Sequence, residues 1–492
     1  MELDFDTCYR ALQSRDARFD GQFFTAVTST GIYCRPICPA QTPKRENVRF
    51  YRSAAAAVAA GFRACRRCRP DAAPQSADWN IRADLTGRAL RLIAEGAVDG
   101  GRVSGLAGRL SVSPRHLHRE LVAEVGCGPL ALARVRRTQT ARLLIDQTAM
   151  SLSEIAFTAG FGSIRQFNDS MRAAFVCNPS ELRRKPETIP AGAGGITLRL
   201  EYRAPFDGAA VLAYLSRRAI PSVEEAIDGR YRRTIALGRS AGTIELEPVD
   251  GAVRLRLSVE DLRDLAPAVQ RGRDLLDLDA DPRAIASVLG ADPLLAPTVA
   301  ARPGLRIPGN VDGWEMAARA VVGQQISIEA ARTLVGRLAR DLGESLPQRD
   351  GRLERLFPRP EAVADADLSR LGLTRARAET LRRLASTVAT GGVALDRGAD
   401  REETRARLLA IPGIGPWTAS YIAMRALGDP DAFLESDLAV RRAAERLGLD
   451  PTPRSLLAYA ERWRPWRAYA VLYLWETLAT AGSLQPARKE AS

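Results

Sequence analysis

"LLAIPGIGPWTASYIAMRALGDPDAFLESDLAV" occupies Leu408–Val440, and its reading decides the fold of the C-terminal half. Helical patterns lie on both sides of Pro412-Gly413-Ile414-Gly415, so the stretch predicts two helices joined by a tight glycine hairpin. Glycines such as Gly413 and Gly415 let a DNA phosphate approach backbone N–H groups at a helix N-terminus. Asp437 lies twenty positions after Trp417, immediately before "LAVRRAAERLG". An aspartate there caps a helix or carries chemistry, and the two roles are compatible. Glu435 is the second carboxylate in reach.

A different chemistry is written into the first seventy residues. Four of the seven cysteines fall within 35 positions, Cys34 and Cys38 in "GIYCRPIC" and Cys65 and Cys68 in "FRACRRCRPD". The pattern C-x3-C, 26 residues, C-x2-C supplies four soft ligands at spacings suited to one tetrahedral Zn²⁺. The only histidines, His116 and His118, lie elsewhere. On pattern alone the site reads as a structural zinc. Cys8, Cys127 and Cys177 are isolated and are expected to be small buried hydrophobes.

Between these two regions, residues 81–184 contain two similar units, "VSGLAGRLSVSPRHLHRELVAEVG" (Val103–Gly126) and "SLSEIAFTAGFGSIRQFNDSMRAAF" (Ser151–Phe175). Each predicts a short helix, a turn and a serine-started second helix, which is helix-turn-helix logic with the second helix entering the major groove. Groove-facing candidates are Arg115, His116, His118 and Arg119, then Ser163, Arg165, Gln166 and Asn168. "KPETIPAGAGG" (185–195) reads as a linker. Alternating runs from Ile196 and Thr243, the second centred on Asp250-Gly251, predict strands and a hairpin. From about residue 303 to 480 the pattern is helical again.

Charge points the same way. The chain is net +13, and residues 1–190 carry 28 Lys and Arg against 18 Asp and Glu, which favours a polyanionic partner. The acidic start "MELDFDTCYR" has no apolar h-region, and no apolar run reaches membrane length. Few, clustered cysteines suit reduced thiols. The expectation is a cytoplasmic monomer that binds DNA and no membrane.

Several of these stretches resemble known families. "TSTGIYCRP" (Thr28–Pro36), "RENVRFY" (Arg45–Tyr51) and "AAGFRACRRCRPD" (Ala59–Asp71) are similar to the N-terminal domain of Ada proteins. The resemblance implies a small α+β zinc domain over residues 1–75. In it Cys34 would accept a methyl group from a DNA methylphosphotriester, irreversibly, with Cys38, Cys65 and Cys68 as the other ligands. The tetrathiolate zinc centre would fall from two formal negative charges to one, strengthening DNA binding. Arg35, Arg66, Arg67 and Arg69 are then candidate phosphate contacts. The tandem units resemble the AraC-type DNA-binding domain, an all-α module over 80–184. That implies an activator with promoter DNA and RNA polymerase as partners.

The hairpin and Asp437 resemble the helix-hairpin-helix DNA glycosylases, in which an Asp at that place is the catalytic carboxylate. Lyase-type relatives carry a Lys where Trp417 stands, and no cysteine follows Cys177 to build an Fe–S cluster. A monofunctional hydrolase is implied, flipping the base and leaving an abasic site. "RPGLRIPGNVDGWEMAARAVVGQQIS" (Arg302–Ser327) and "AYAERWRPWRAYAVLYLWET" (Ala458–Thr477) narrow the likeness to AlkA-type 3-methyladenine glycosylases. That family combines a TATA-binding-protein-like α+β domain, here 196–301, with an all-α glycosylase domain, here 302–485. Its implied base pocket is Trp417, Tyr421 and Trp475, whose aromatic faces suit cationic 3-methyladenine or 7-methylguanine. Gln325 falls where the family places an apolar DNA wedge. Ada proteins also carry a Pro-Cys-His-Arg methyltransferase motif. No histidine here follows a cysteine, so repair of O6-methylguanine is not expected. The expected whole is a sensor, activator and glycosylase in one chain. The rival is a regulator whose glycosylase-like half only binds DNA.

Overall fold

The computed structural model describes residues 4–65, 67–70, 84–99, 102–183 and 195–482. Arg66 and residues 185–194 of the expected linker lie outside them. The chain divides into two compact units. One comprises residues up to 202 with 227–273 and 345–356, and the other 203–226, 274–344 and 357 onward. The stretch 196–301, read from sequence as one α+β domain, therefore contributes to both.

The first unit opens with a four-stranded sheet of β1 (Phe24–Val27), β2 (Ile32–Cys34), β3 (Val48–Tyr51) and β4 (Arg63–Ala64), in the order β3-β1-β2-β4. β1 pairs antiparallel with β2 and β3, and β2 pairs parallel with β4. Phe24, Ala26, Tyr33, Ala57 and Phe62 form its core. Ser53 caps the alanine helix Ala54–Ala59 by accepting from Ala56 N.

The helix-turn-helix pairs form as the sequence predicts. Helices Val103–Arg109 and Pro114–Val125 make the first, Leu152–Thr158 and Ile164–Phe175 the second, and Pro129–Gln147 joins them. Ser113 caps at His116 N with proline at N1, Ser151 closes a capping box with Glu154, and Ser163 caps at Gln166 N. Leu106, Leu117, Leu121 and Val125 bury one face of the first pair. Phe161 and Phe167, 5.5 Å apart edge to face, anchor the second.

Next, β5 (Ile196–Glu201), β6 (Glu224–Ile227), β7 (Arg230–Ala236), β8 (Ala241–Val249) and β9 (Ala252–Val259) form a sheet in the order β5-β9-β8-β7-β6. The Asp250-Gly251 turn sets the register of β8 on β9, pairing Val249 with Ala252. Alternate residues Leu198, Leu200, Ile244, Leu246, Val253, Leu255 and Leu257 are buried, as a one-sided sheet requires. One expectation fails here. The helical reading of 303–480 is interrupted by a hairpin, β10 (Ser345–Asp350) and β11 (Leu353–Arg355). Asp350-Gly351 is the same turn signal as Asp250-Gly251, and the hairpin is held where Thr243 Oγ1 donates to Asp350 at 3.0 Å.

The second unit is helical. Gly313–Val322 is buried nearly all round, and its polar residues are internally satisfied: Arg319 pairs with Glu315 at 3.0 Å and Glu224 at 2.9 Å. Ile328–Leu342, Arg375–Ala389, Arg401–Leu409, Pro416–Arg425, Leu438–Arg446 and Arg467–Gly482 complete the principal helices. Among the described residues no helix is long and apolar enough to cross a membrane.

Candidate functional site

The parallel pairing of β2 with β4 builds the metal centre. Tyr33 lies opposite Ala64, and Cys65 N donates to Tyr33 O at 3.0 Å, so Cys34 and Cys65 follow in step at the strand ends. A turn closed by Cys38 N on Arg35 O, 3.1 Å, returns Cys38, and one closed by Arg69 N on Cys65 O, 3.1 Å, returns Cys68. All four sulfurs lie within 4.8 Å of one another. Contact with Cys38 and Cys68, then burial, push the Cys34 thiol far up when no cation compensates. Four thiolates at this separation need a cation, and four soft donors at these distances fit zinc. Arg35 N adds a 3.4 Å hydrogen bond to Cys68 Sγ.

A groove of ≈ 680 Å³ lies over Cys34 and Cys38, with Thr30, Lys44, Asn47 and Arg67 among its walls. Arg67 is exposed there. Arg35 is sheltered. Its Nε donates to Asp20 at 2.8 Å, and the two side chains are only 18% and 11% exposed. Paired with a sheltered carboxylate, the guanidinium braces the loop between the first two cysteines. Arg69 pairs with Asp146 at 3.0 Å on the helix joining the two helix-turn-helix pairs.

On the paired helices, Arg115, His118 and Arg119 are exposed, whereas His116 bonds Arg119 at 2.9 Å. Arg165 is 93% exposed and borders a shallow concavity with Arg134, Ser163 and Gln166. Gln166 spends its Oε1 on Gly162 N at 2.9 Å, leaving its amide NH₂ for a ligand.

The second unit assembles the carboxylate site. Asp437 is the N-cap of Leu438–Arg446, its Oδ1 accepting from Ala439 N and Val440 N at 3.0 Å each. Trp475 Nε1 donates to the same oxygen at 3.0 Å, and Trp417 Nε1 donates to Oδ2 at 2.9 Å. Capping and chemistry thus share one side chain, and every donor is neutral. Trp417 stacks on Tyr421 with centroids 5.1 Å apart and planes 7° apart. Trp417 and Trp475 thus meet Asp437 through their indole N–H groups, and Tyr421 reaches the site through its stack on Trp417.

The hairpin forms at Pro412–Gly415. Gly413 has φ +93°, and a Cβ on it would sit 1.9 Å from Thr380 Oγ1, so only glycine fits. Gln325 is exposed at the tip of a turn with φ +55°. Its neighbour Gln324 ties that turn to the hairpin, donating to Gly413 O at 3.1 Å and Thr418 Oγ1 at 2.9 Å. Sequence reading missed Gln324, Arg425 and Tyr214. Arg425 Nη1 donates to Tyr421 Oη at 2.8 Å, and Tyr214 Oη lies 3.1 Å from the same oxygen. No local motif marks them, because packing between segments distant in sequence brings them together.

Four family models match in chain order: "Metal binding domain of Ada" over 7–71, "Helix-turn-helix domain" over 106–185, "AlkA N-terminal domain" over 197–312 and "HhH-GPD superfamily base excision DNA repair protein" over 318–468. The chain is 51% identical, over 97% of both lengths, to the "Probable bifunctional transcriptional activator/DNA repair enzyme AlkA" of Mycobacterium tuberculosis. The chain belongs to that family. It is also 35% identical to the "DNA-3-methyladenine glycosylase 2" of Escherichia coli, covering 56% of this chain and 96% of that one. To the "Bifunctional transcriptional activator/DNA repair enzyme Ada" of the same species it is 39% identical over 32% of this chain and 43% of that one. This AlkA-type chain therefore joins an Ada-type zinc domain, a helix-turn-helix domain and a DNA glycosylase domain.

Proposed function

We propose that the protein repairs alkylated DNA and reports the damage to transcription. It would release alkylated purines by hydrolysis and take methyl groups from backbone phosphotriesters. The observation that carries the reading is Asp437, a carboxylate held by two indoles and two backbone amides beside an aromatic stack. Because no cation neutralises it through these bonds, its charge is available to the oxocarbenium-like sugar that forms as the N-glycosidic bond breaks, or to polarise the attacking water. Trp417 in place of an amine nucleophile supports hydrolysis without lyase chemistry. The turn at Gln325 and the hairpin at Gly413 and Gly415 would hold the opened duplex, with the polar Gln325 as wedge.

At the metal centre Cys34, Cys38, Cys65 and Cys68 would hold zinc, which keeps their sulfurs deprotonated at neutral pH. Cys34 Sγ attacks the methyl carbon of the phosphotriester, the carbon–oxygen bond breaks, and the phosphate leaves as a diester anion. The cysteine is spent in one turnover. Arg67 lies in the groove to meet the phosphate, and Arg115, His118, Arg165 and Gln166 face outward to read promoter DNA. The domain assignment 1–75, 80–184, 196–301 and 302–485 follows this division of labour. The protein would act in the cytoplasm as a monomer with RNA polymerase as its partner.

The test compares wild type with Asp437→Asn on duplex DNA carrying 3-methyladenine. Release by wild type alone supports the reading; equal release by both refutes it. Mass spectrometry of the Cys34 peptide after exposure to methylated DNA must show one added methyl group.

A further inference from the structure

Gln325 owes its place to two side chains that the chemistry above leaves unused. It sits exposed at φ +55°, a left-handed backbone that a non-glycine residue keeps only where its surroundings impose it. The preceding residue supplies one constraint. Gln324 Nε2 donates to Gly413 O at 3.1 Å and to Thr418 Oγ1 at 2.9 Å. Both amide protons are thereby committed, one on the glycine hairpin and one on the helix that follows it. Thr418 adjoins Trp417, whose indole holds Asp437 Oδ2.

A second constraint comes from the helix Arg375–Ala389. Arg377 Nη2 donates to the main-chain oxygen of Gln324 at 2.5 Å, a charge-assisted bond on the residue just before the apex. Thr380 lies three positions on and therefore on the same helix face. Its hydroxyl proton is shared between Ala376 O at 3.0 Å and Pro412 O at 3.1 Å, and its Oγ1 abuts Gly413. One face of one helix holds both turns by their carbonyls, and Gln324 crosses between them. These bonds fix the backbone under Gln325 while its side chain stays exposed.

We propose that Arg377 and Gln324 are positioning residues for base extrusion. They lock the turn that carries Gln325 to the glycine hairpin, so that Gln325 enters the duplex at a fixed height above the Asp437 site. The inference rests on the reading of Gln325 as the wedge. A wedge that holds a duplex open needs a rigid base, because any give in its support lets the displaced base return. Loosening either residue weakens extrusion and leaves the carboxylate and the hairpin in place.

Single-turnover excision of 7-methylguanine is measured with enzyme in excess for wild type, Gln324→Ala, Arg377→Met and Gln325→Ala. Two duplexes are compared, one with the lesion paired to cytosine and one with it in a single-nucleotide bulge. The bulged lesion has no partner to leave and opens no gap when it flips. On the paired lesion Gln324→Ala is slower by about 10- to 30-fold, the order of two neutral hydrogen bonds, and Arg377→Met by about 10-fold. On the bulge both stay within about twofold of wild type. Damage to the carboxylate site would instead slow both substrates alike. Equal losses on the two duplexes, or no loss on the paired one, overturn the proposal. If Gln325→Ala excises the paired lesion as fast as wild type, the wedge reading fails and the proposal with it. If wild type releases the base from neither duplex, the glycosylase reading itself falls.

Discussion

Replacing each indole on Asp437 by phenylalanine keeps the aromatic area and deletes one N–H. The structure predicts unequal costs. Oδ1 accepts from Ala439 N, Val440 N and Trp475 Nε1, each at 3.0 Å, whereas among the described residues the one side-chain donor to Oδ2 is Trp417 Nε1 at 2.9 Å. Trp475→Phe leaves Oδ1 with two amides that fix it to the helix N-terminus. Trp417→Phe leaves Oδ2 without that indole in a partly enclosed site. A hydrogen bond to a charged group is worth about 1.5–3 kcal/mol, and about 1.4 kcal/mol is tenfold in rate. Trp417→Phe should therefore slow single-turnover base release about 10- to 100-fold. Trp475→Phe, with redundant donors, should cost about 3-fold. The assay is release of 7-methylguanine from duplex DNA with enzyme in excess, alongside DNA affinity, which should not change. An effect of Trp475→Phe equal to or larger than that of Trp417→Phe would refute the argument, because it would mean that the indoles act by stacking and not by orienting the carboxylate.

Gly413→Ala forces a Cβ toward Thr380 Oγ1 at φ +93°, so the hairpin must shift. DNA affinity should drop at least tenfold by titration, with the fold retained by circular dichroism. Cys65→Ala removes a buried ligand from a set spanning 4.8 Å. Zinc content should fall from about one per chain to near zero by elemental analysis, while base excision persists. Asp277 accepts from Tyr469 Oη at 2.6 Å, and burial, opposed by Arg306, raises its carboxyl to about 6. Folded above unfolded means that its stabilising contribution is complete below the ordinary value of 3.8 and lost as pH rises through about 6. The loss is about 3 kcal/mol for a carboxyl moved from 3.8 to about 6. Thermal melts of Asp277→Asn between pH 4 and 7 should lack that component of the pH dependence, and identical slopes would contradict it.

What the amino-acid order determined alone is local. Cysteine spacing brings two short pairs to one metal because each pair spans a single turn. Serine caps start both second helices, and Asp437 caps a helix because it stands just before an amphipathic run. Even the missed hairpin at Asp350-Gly351 was legible from its turn residues; the surrounding helical pattern masked it. Packing decided the rest. Arg35 and Arg67 look alike in sequence, yet Asp20 claims one and the groove receives the other. Trp475 meets Asp437 across 38 positions, and Tyr214 meets Arg425 across 211. Backbone geometry limits what neighbours in sequence can do, so their chemistry is written in spacing. Partners far apart in sequence meet only when buried faces close on one another, and that closure places the donors around Asp437 and sets Tyr214 beside Arg425.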